Sequence, residues 1–318
     1  MVIEYILFIV GIYFLIKSAD WIVNSSSLIA KKFGVSSLIV GLTIVAFGTS
    51  LPELIVNIFA ALKGSAEISF GNIIGSNIAN ILLVLGSIAI IGNIKLRSST
   101  VWKEIPFALL SVFVLFALTS KIFFNNNSLF TWNDGLVLLA LFAIFLYYVF
   151  QMALKDKKDI GFIKGVDESN LKIIFKLIIG LVGIYFGGRW VVEGAVFIAG
   201  QLGLSEYLIA ATIIAIGTSL PELVVSVLAV WKKNVDLAVG NIIGSNIFNI
   251  LWVLGIIPFI QPLKVPLFVG FDIGIMFFVT LLLFIFMFIG KKHGLSKKKG
   301  VLFVSLYILY IAYLIIRG

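Results

Sequence analysis

A shift of 169 residues lays one half of this chain on the other: residues 41–86 and 210–255 are identical at 27 of 46 positions, and both contain GTSLPEL and GNIIGSN. The same shift aligns Trp21 with Trp190, Gly34 with Gly203 and Ser36 with Ser205, so the duplication reaches upstream of these cores. A repeat of this length constrains architecture before any local propensity is weighed. Hydropathy then says what each half can be. The 318 residues are 61% hydrophobic and 12% charged, against about 45–50% and about 25% in soluble domains. Apolar stretches near the roughly 20 residues that cross a bilayer core recur at 3–23, 36–62, 68–92, 104–120, 132–154, 171–197, 206–231, 237–261, 266–289 and 301–316. They predict ten transmembrane helices, five in each half.

An odd number of crossings per half makes the second half enter the membrane from the opposite side. The expectation is an all-α polytopic membrane protein of two inverted five-helix repeats, with the ion or substrate site near the midplane where they meet. The first repeat is read as 1–154 (core 41–86), a short cytoplasmic linker as 155–170, and the second repeat as 171–318 (core 210–255). Residues 1–23 carry no basic leader and no small-residue cleavage pattern, and are read as the first helix. The net charge of +9 follows the loops: alternating them across the membrane puts eighteen Lys and Arg on one side and four on the other. By the positive-inside rule the Lys-rich side is cytoplasmic and both termini are extracellular. The charge therefore points to the lipid bilayer of the cell (plasma) membrane as partner and away from nucleic acid; no obligate protein partner is evident. With no Cys, and with the single His, His293, expected to be solvated in a basic loop, thiol chemistry and a His-based metal site are excluded. No cofactor is implied, and the reading is not an enzyme.

Glu53 and Glu222 stand mid-span at equivalent repeat positions. A charge at the bilayer centre costs about 2.5–3.5 kcal/mol on insertion scales, so two carboxylates there call for a counter-cation. The helical basic residues have local partners instead: Glu193 lies one turn from Arg189, and Asp20 is close to Lys17. Gly48, Thr49, Ser50 and Pro52 precede Glu53, and Gly217, Thr218, Ser219 and Pro221 precede Glu222. Pro removes a backbone donor and clashes with the carbonyl four residues back, so each helix should kink and turn carbonyls, hydroxyls and one carboxylate into an all-oxygen cage of the kind hard cations prefer. In the following spans Asn72, Ser76 and Asn80, and their counterparts Asn241, Ser245 and Asn249, recur every four residues along one face. Gly71, Gly75, Gly240 and Gly244 permit close helix approach. Asp20 and Asp272 sit near span ends.

Two copies of GTSLPE followed by GNIIGSN resemble the α-repeats of the cation/calcium exchanger superfamily, specifically its sodium/calcium exchanger branch in a compact prokaryotic-type form with a short central loop. The proton-coupled branch has a sequence closer to Gly-Asn-x-x-Glu, absent here. The resemblance implies Ca²⁺ ligation by Glu53 and Glu222 with the carbonyls of Thr49 and Thr218. It implies Na⁺ sites that add Ser50, Ser219, Ser76, Ser245 and the carbonyls of Ala46 and Ala215, with Asn80 and Asn249 near the centre. Some archaeal and potassium-dependent members carry Asp at the position of Asn249; Asn here favours potassium independence. The implied function is antiport of Na⁺ against Ca²⁺ by alternating access, with the first and sixth spans sliding across the core. Two carboxylates balance one Ca²⁺ and leave +1 with three Na⁺, so electrogenic exchange is expected. Alternatives compatible with the residues are a Ca²⁺/H⁺ or other divalent cation antiporter, and a channel filtered by the glutamate pair.

Overall fold

A computed structural model describes residues 2–92, 94–120, 129–160, 168–202, 215–267, 269–290 and 293–317. The helices are α1 (Val2–Phe33), α2 (Ser37–Thr49), α3 (Leu51–Leu62), α4 (Ala66–Ile91), α5 (Thr100–Thr119), α6 (Trp132–Ile160), α7 (Asn170–Gln201), the short turn α8 (Ala215–Gly217), α9 (Leu220–Trp231), α10 (Val235–Ile260), α11 (Val269–Phe286) and α12 (Lys297–Arg317). Eight of these are long and apolar enough to span a membrane, and nine spans result if α2 and α3, bent by 40° where they meet, form one. The chain is thus an all-helical, multi-pass membrane protein. The seventh expected span, 206–231, and the Gly203 and Ser205 correspondences fall partly or wholly on 203–214, outside the described residues, as do Lys121, Lys164, Lys291 and Lys292.

Burial sorts the helices. The apolar windows of α4 and α10 are 78% and 83% buried, whereas those of the other long helices are 39% or less. The two repeat-equivalent helices carrying GNIIGSN therefore form the centre, and the others turn residues such as Phe113, Tyr147, Phe175 and Ile308 outward. Small residues set the central crossing: a Cβ on Gly240 would lie 2.6 Å from the Leu38 carbonyl and 3.1 Å from Gly41 Cα, so only glycine lets α10 lie against α2 this closely. α1 and α7 pack along their lengths in the same way, with Gly187 against the backbone of Gly11 and Leu15 and the Trp190 ring edge-on to Phe14 at 5.5 Å. Equivalent tight turns follow α3 and α9, with Gly64 at φ 70° and Lys233 at φ 60°.

Four two-residue strands link the loops: β1 (Ile94–Lys95), β2 (Leu129–Phe130), β3 (Leu263–Lys264) and β4 (Gly294–Leu295). β1 pairs antiparallel with β4 and β2 with β3, so each half clasps the other. His293 belongs to the first clasp and corrects its sequence reading. It is 8% exposed, its carbonyl accepts the Leu96 N–H at 2.9 Å and its N–H donates to the Met287 carbonyl at 2.8 Å. The clasp folds it inward beside Phe288.

Ion pairs mark the helix ends. Arg189 pairs with Glu193 at 2.7 Å as expected, but Asp20 pairs with Lys232 rather than Lys17, whose ammonium lies over Trp21. A Lys one turn along its own helix cannot match an incoming chain end that also reaches Asn24 at 2.7 Å. Arg317 and Asp272 join at their span ends through two bonds of 2.6 and 3.1 Å. Before α7, the Lys176 ammonium holds the Glu168 carboxyl below the usual carboxylate range. That contact stabilises above the ordinary Glu pKa and is lost as pH falls through the depressed one.

Candidate functional site

Both GTSLPE segments break their helices in the same way. Ser50 has φ −85° and ψ 0°, and Ser219 has φ −89° and ψ 3°, a sparsely used backbone region frequent at functional sites. Pro52 and Pro221 then open α3 and α9, where a missing N–H costs nothing, and place Glu53 and Glu222 in the first helical turn. There the positive end of the helix dipole favours a carboxylate. Both side chains are fully buried, and among the described residues none of their four carboxylate oxygens has a hydrogen-bond partner within bonding geometry. Ser76 faces Glu53, Thr49 and Ser245 face Glu222, and the two carboxylates repel one another across the interface.

The hydroxyls cross between halves in repeat-equivalent pairs: Thr49 with Ser245 and Thr218 with Ser76, each at 3.2 Å. Thr49 donates to Asn241 Oδ1 at 3.0 Å; with its one proton committed, it accepts from Ser245. Asn241 in turn donates to Ser226 on α9 at 3.2 Å. The first half is wired differently, because Asn57 replaces the equivalent serine. Asn57 donates to the Glu53 carbonyl at 2.7 Å and accepts from Ser69 at 2.6 Å, and the Asn72 amide nitrogen is buried without a partner.

The predicted set is thus largely brought together. Thr49, Ser50, Glu53, Ser76, Asn80, Ser219, Glu222, Ser245 and Asn249 are all buried, and Thr218 is half-buried. The hydroxyls of Ser50 and Ser219 and the amide oxygens of Asn80 and Asn249 are likewise without partners. The Ala46 carbonyl is already occupied by the Ser50 N–H at 3.0 Å, so the kink does not free it. Ala215 opens the α8 turn, and its side-chain surroundings lie outside the described residues. Two residues escaped the sequence reading. Asn77 and Asn246, the last letters of GNIIGSN, join Asn80 and Asn249 across the interface. Spacing by four selected Asn72 and Asn241. The central helices, however, widen into π-helical turns at Asn80–Leu85 and Phe248–Val253, a departure common at functional sites.

A third buried carboxylate among the described residues sits apart from this cluster. Glu104 at the start of α5 accepts from the Tyr148 hydroxyl of α6. Among the described residues no three His, Asp or Glu gather in one place, so the central cluster has two carboxylates, with hydroxyls and amides for the remainder. Such a donor set suits a hard cation.

The chain is similar to known proteins along its length. The family description "Sodium/calcium exchanger protein" matches residues 3–151 and 172–316. The putative antiporter CaxA of Alkalimonas amylolytica is 37% identical over 318 residues, 98% of this chain and 98% of the relative. The sodium/calcium exchanger MaX1 of Methanosarcina acetivorans is 31% identical, again over 98% of each chain. Among solved structures, the sodium-calcium exchanger NCX_Mj, soaked with 2.5 mM Na⁺ and 10 mM Sr²⁺, superposes with a TM-score of 0.83 at 34% identity and covers 98% of both chains. A match that runs through both halves, at this identity and with this agreement of fold, places the chain in the sodium/calcium exchanger family.

Proposed function

We propose that this protein is a secondary antiporter of the cell membrane that exchanges Na⁺ for Ca²⁺ by alternating access at the Glu53–Glu222 cluster. The observation that carries this reading is chemical. Ser50, Glu53 and Asn80, with Ser219, Glu222 and Asn249, contribute eight buried oxygens that lack hydrogen-bond partners, and these come in repeat-equivalent pairs. Buried polar groups are ordinarily satisfied, and about 6–8 oxygens is the coordination that Ca²⁺ takes. Glu53 and Glu222 supply the charge, Ser50, Ser219, Ser76 and Ser245 the hydroxyls, Asn80 and Asn249 the central amides. Thr49, Thr218, Ala46 and Ala215 contribute carbonyls in this reading, Ala46 only after its bond from Ser50 opens.

The ten-span, inverted arrangement, with repeats 1–154 and 171–318 joined by 155–170, is supported by the clasps. β1 and β4 must lie on one membrane face, yet five long helices separate them, α5, α6, α7, α10 and α11; β2 and β3 are separated by three. An odd count closes neither clasp, so one further crossing belongs between Gln201 and Val235, where α9 lies. The cation count then puts the termini outside. For alternating access, α7 touches both helix breaks: Leu181 packs on Gly48 and Val192 on Gly217. Cross-linking α7 to α2 is expected to stop exchange while leaving Ca²⁺ binding in place, as checked by uptake before and after reduction of the cross-link.

Two glutamates and neutral asparagines give a site charge of −2. One Ca²⁺ balances it, and three Na⁺ leave +1, so each cycle moves one charge, worth about 2.3 kcal/mol per 100 mV. Asn249, a neutral amide bonded to Asn77, supports potassium independence. The test is ⁴⁵Ca²⁺ uptake into proteoliposomes. An outward Na⁺ gradient drives uptake and a current, with or without K⁺; uptake driven instead by a pH gradient would move the assignment to Ca²⁺/H⁺ exchange, and uptake without any gradient to a channel.

A further inference from the structure

At the centre of the interface four amides form two crossed pairs. Asn80 donates through Nδ2 to Asn246 Oδ1 at 3.0 Å, and Asn249 donates through Nδ2 to Asn77 Oδ1 at 3.4 Å. The two pairs are repeat equivalents. Asn246 is itself oriented, because its Nδ2 donates to the Asn77 backbone carbonyl at 3.3 Å. In both Asn80 and Asn249 the nitrogen is used, and the oxygen is left buried without a partner.

An amide has two ends of nearly one shape and opposite chemistry. A free amide within reach of a buried carboxylate would turn its N–H₂ toward it, because a charge-assisted hydrogen bond is the strongest contact on offer. That orientation would place donors where a cation binds. We propose that Asn77 and Asn246 are positioning residues that hold Asn80 and Asn249 oxygen-inward and so keep the empty site from being capped by its own amides. The inference rests on the exchange site proposed above and assigns to GNIIGSN a role for its final residue. Asn77 and Asn80, three residues apart on one helix face, bear together on Asn246 of the partner helix.

The test is a double-mutant cycle on Na⁺-driven ⁴⁵Ca²⁺ uptake. Asn246→Leu keeps the volume and removes the acceptor. It is expected to raise the half-saturating Ca²⁺ concentration about tenfold, the scale of one lost polar contact in a buried site, with the maximal rate kept. Because Asn246 acts through Asn80, adding Asn246→Leu to Asn80→Ala should change the half-saturation no further. Asn77→Leu with Asn249→Ala forms the second cycle and stands if either variant of the first fails to fold. Unchanged half-saturation in both leucine variants, or additive losses in the cycles, overturns the proposal. If the exchange reading itself is at fault, the wild type shows no Na⁺-driven uptake, or Glu53→Gln retains it, whatever the asparagine variants do.

Discussion

Glu53→Gln and Glu222→Gln are each expected to abolish Na⁺-driven ⁴⁵Ca²⁺ uptake while leaving the protein at least as stable as the wild type. Glutamine has the same volume and keeps an oxygen for the hydroxyls of Ser76, Thr49 and Ser245, so the fold loses little contact. It loses a buried charge, whose cost at the membrane centre is about 2.5–3.5 kcal/mol. Ca²⁺ loses half of its neutralising charge in a site closed to water. Removing one partner of a buried charge pair costs about 3–5 kcal/mol, or a factor of roughly a hundred to a few thousand in binding. Thermal unfolding separates the two effects: Ca²⁺ raises the midpoint of the wild type but not of either variant, and the variants without Ca²⁺ unfold no earlier than the wild type. Normal uptake by both variants would remove the glutamates from the mechanism.

Gly240→Val is expected to dismantle the candidate site without touching a residue of the cluster. The added Cβ meets only backbone, at 2.6 Å from the Leu38 carbonyl, 3.0 Å from the Leu42 nitrogen and 3.1 Å from Gly41 Cα, and neither helix has a flexible end to yield. Overpacking costs about 1–3 kcal/mol where side chains can adjust, and more is expected here. The crossing also sets the Thr49–Asn241 and Thr49–Ser245 contacts, so exchange is lost together with the stability. Gel filtration and the unfolding midpoint measure the second effect, and uptake measures the first. Gly71→Val is the control from the other repeat: among the described residues nothing lies within 4 Å of a Cβ there, and it should be far milder.

Much of this was legible in the residues alone. The duplication announced itself in GTSLPEL, Pro52 and Pro221 foretold the breaks, and an intramembrane glutamate in each copy located the site. What stayed hidden depended on geometry that one-dimensional spacing cannot carry. Four-residue periodicity pointed to Asn72 as well as Asn241, but among the described residues the Asn72 amide nitrogen finds no partner, because Asn57 stands where the other repeat has Ser226 and turns instead to Ser69 and the Glu53 carbonyl. The span expected from 104 begins at Thr100, one turn earlier, which draws Glu104 inside against Tyr148. The clasps, two residues per strand, carry no alternating pattern long enough to be seen, and with them His293 was misplaced. The preference of Asp20 for Lys232 over Lys17 was a choice between a neighbour in sequence and one delivered by the fold.

The clasps also bear on biogenesis. β2 can find β3 once α10 has been made, but β1 must wait for β4, which emerges only after α11, near the end of synthesis. Until then β1 is an open edge, the kind of surface that recruits wrong partners. The last hairpin, α11 to α12, thus does more than add membrane anchors: it closes the final seam. A chain that stops after α11 already holds every residue of the candidate cluster, yet it leaves β1 without β4 and the first clasp open.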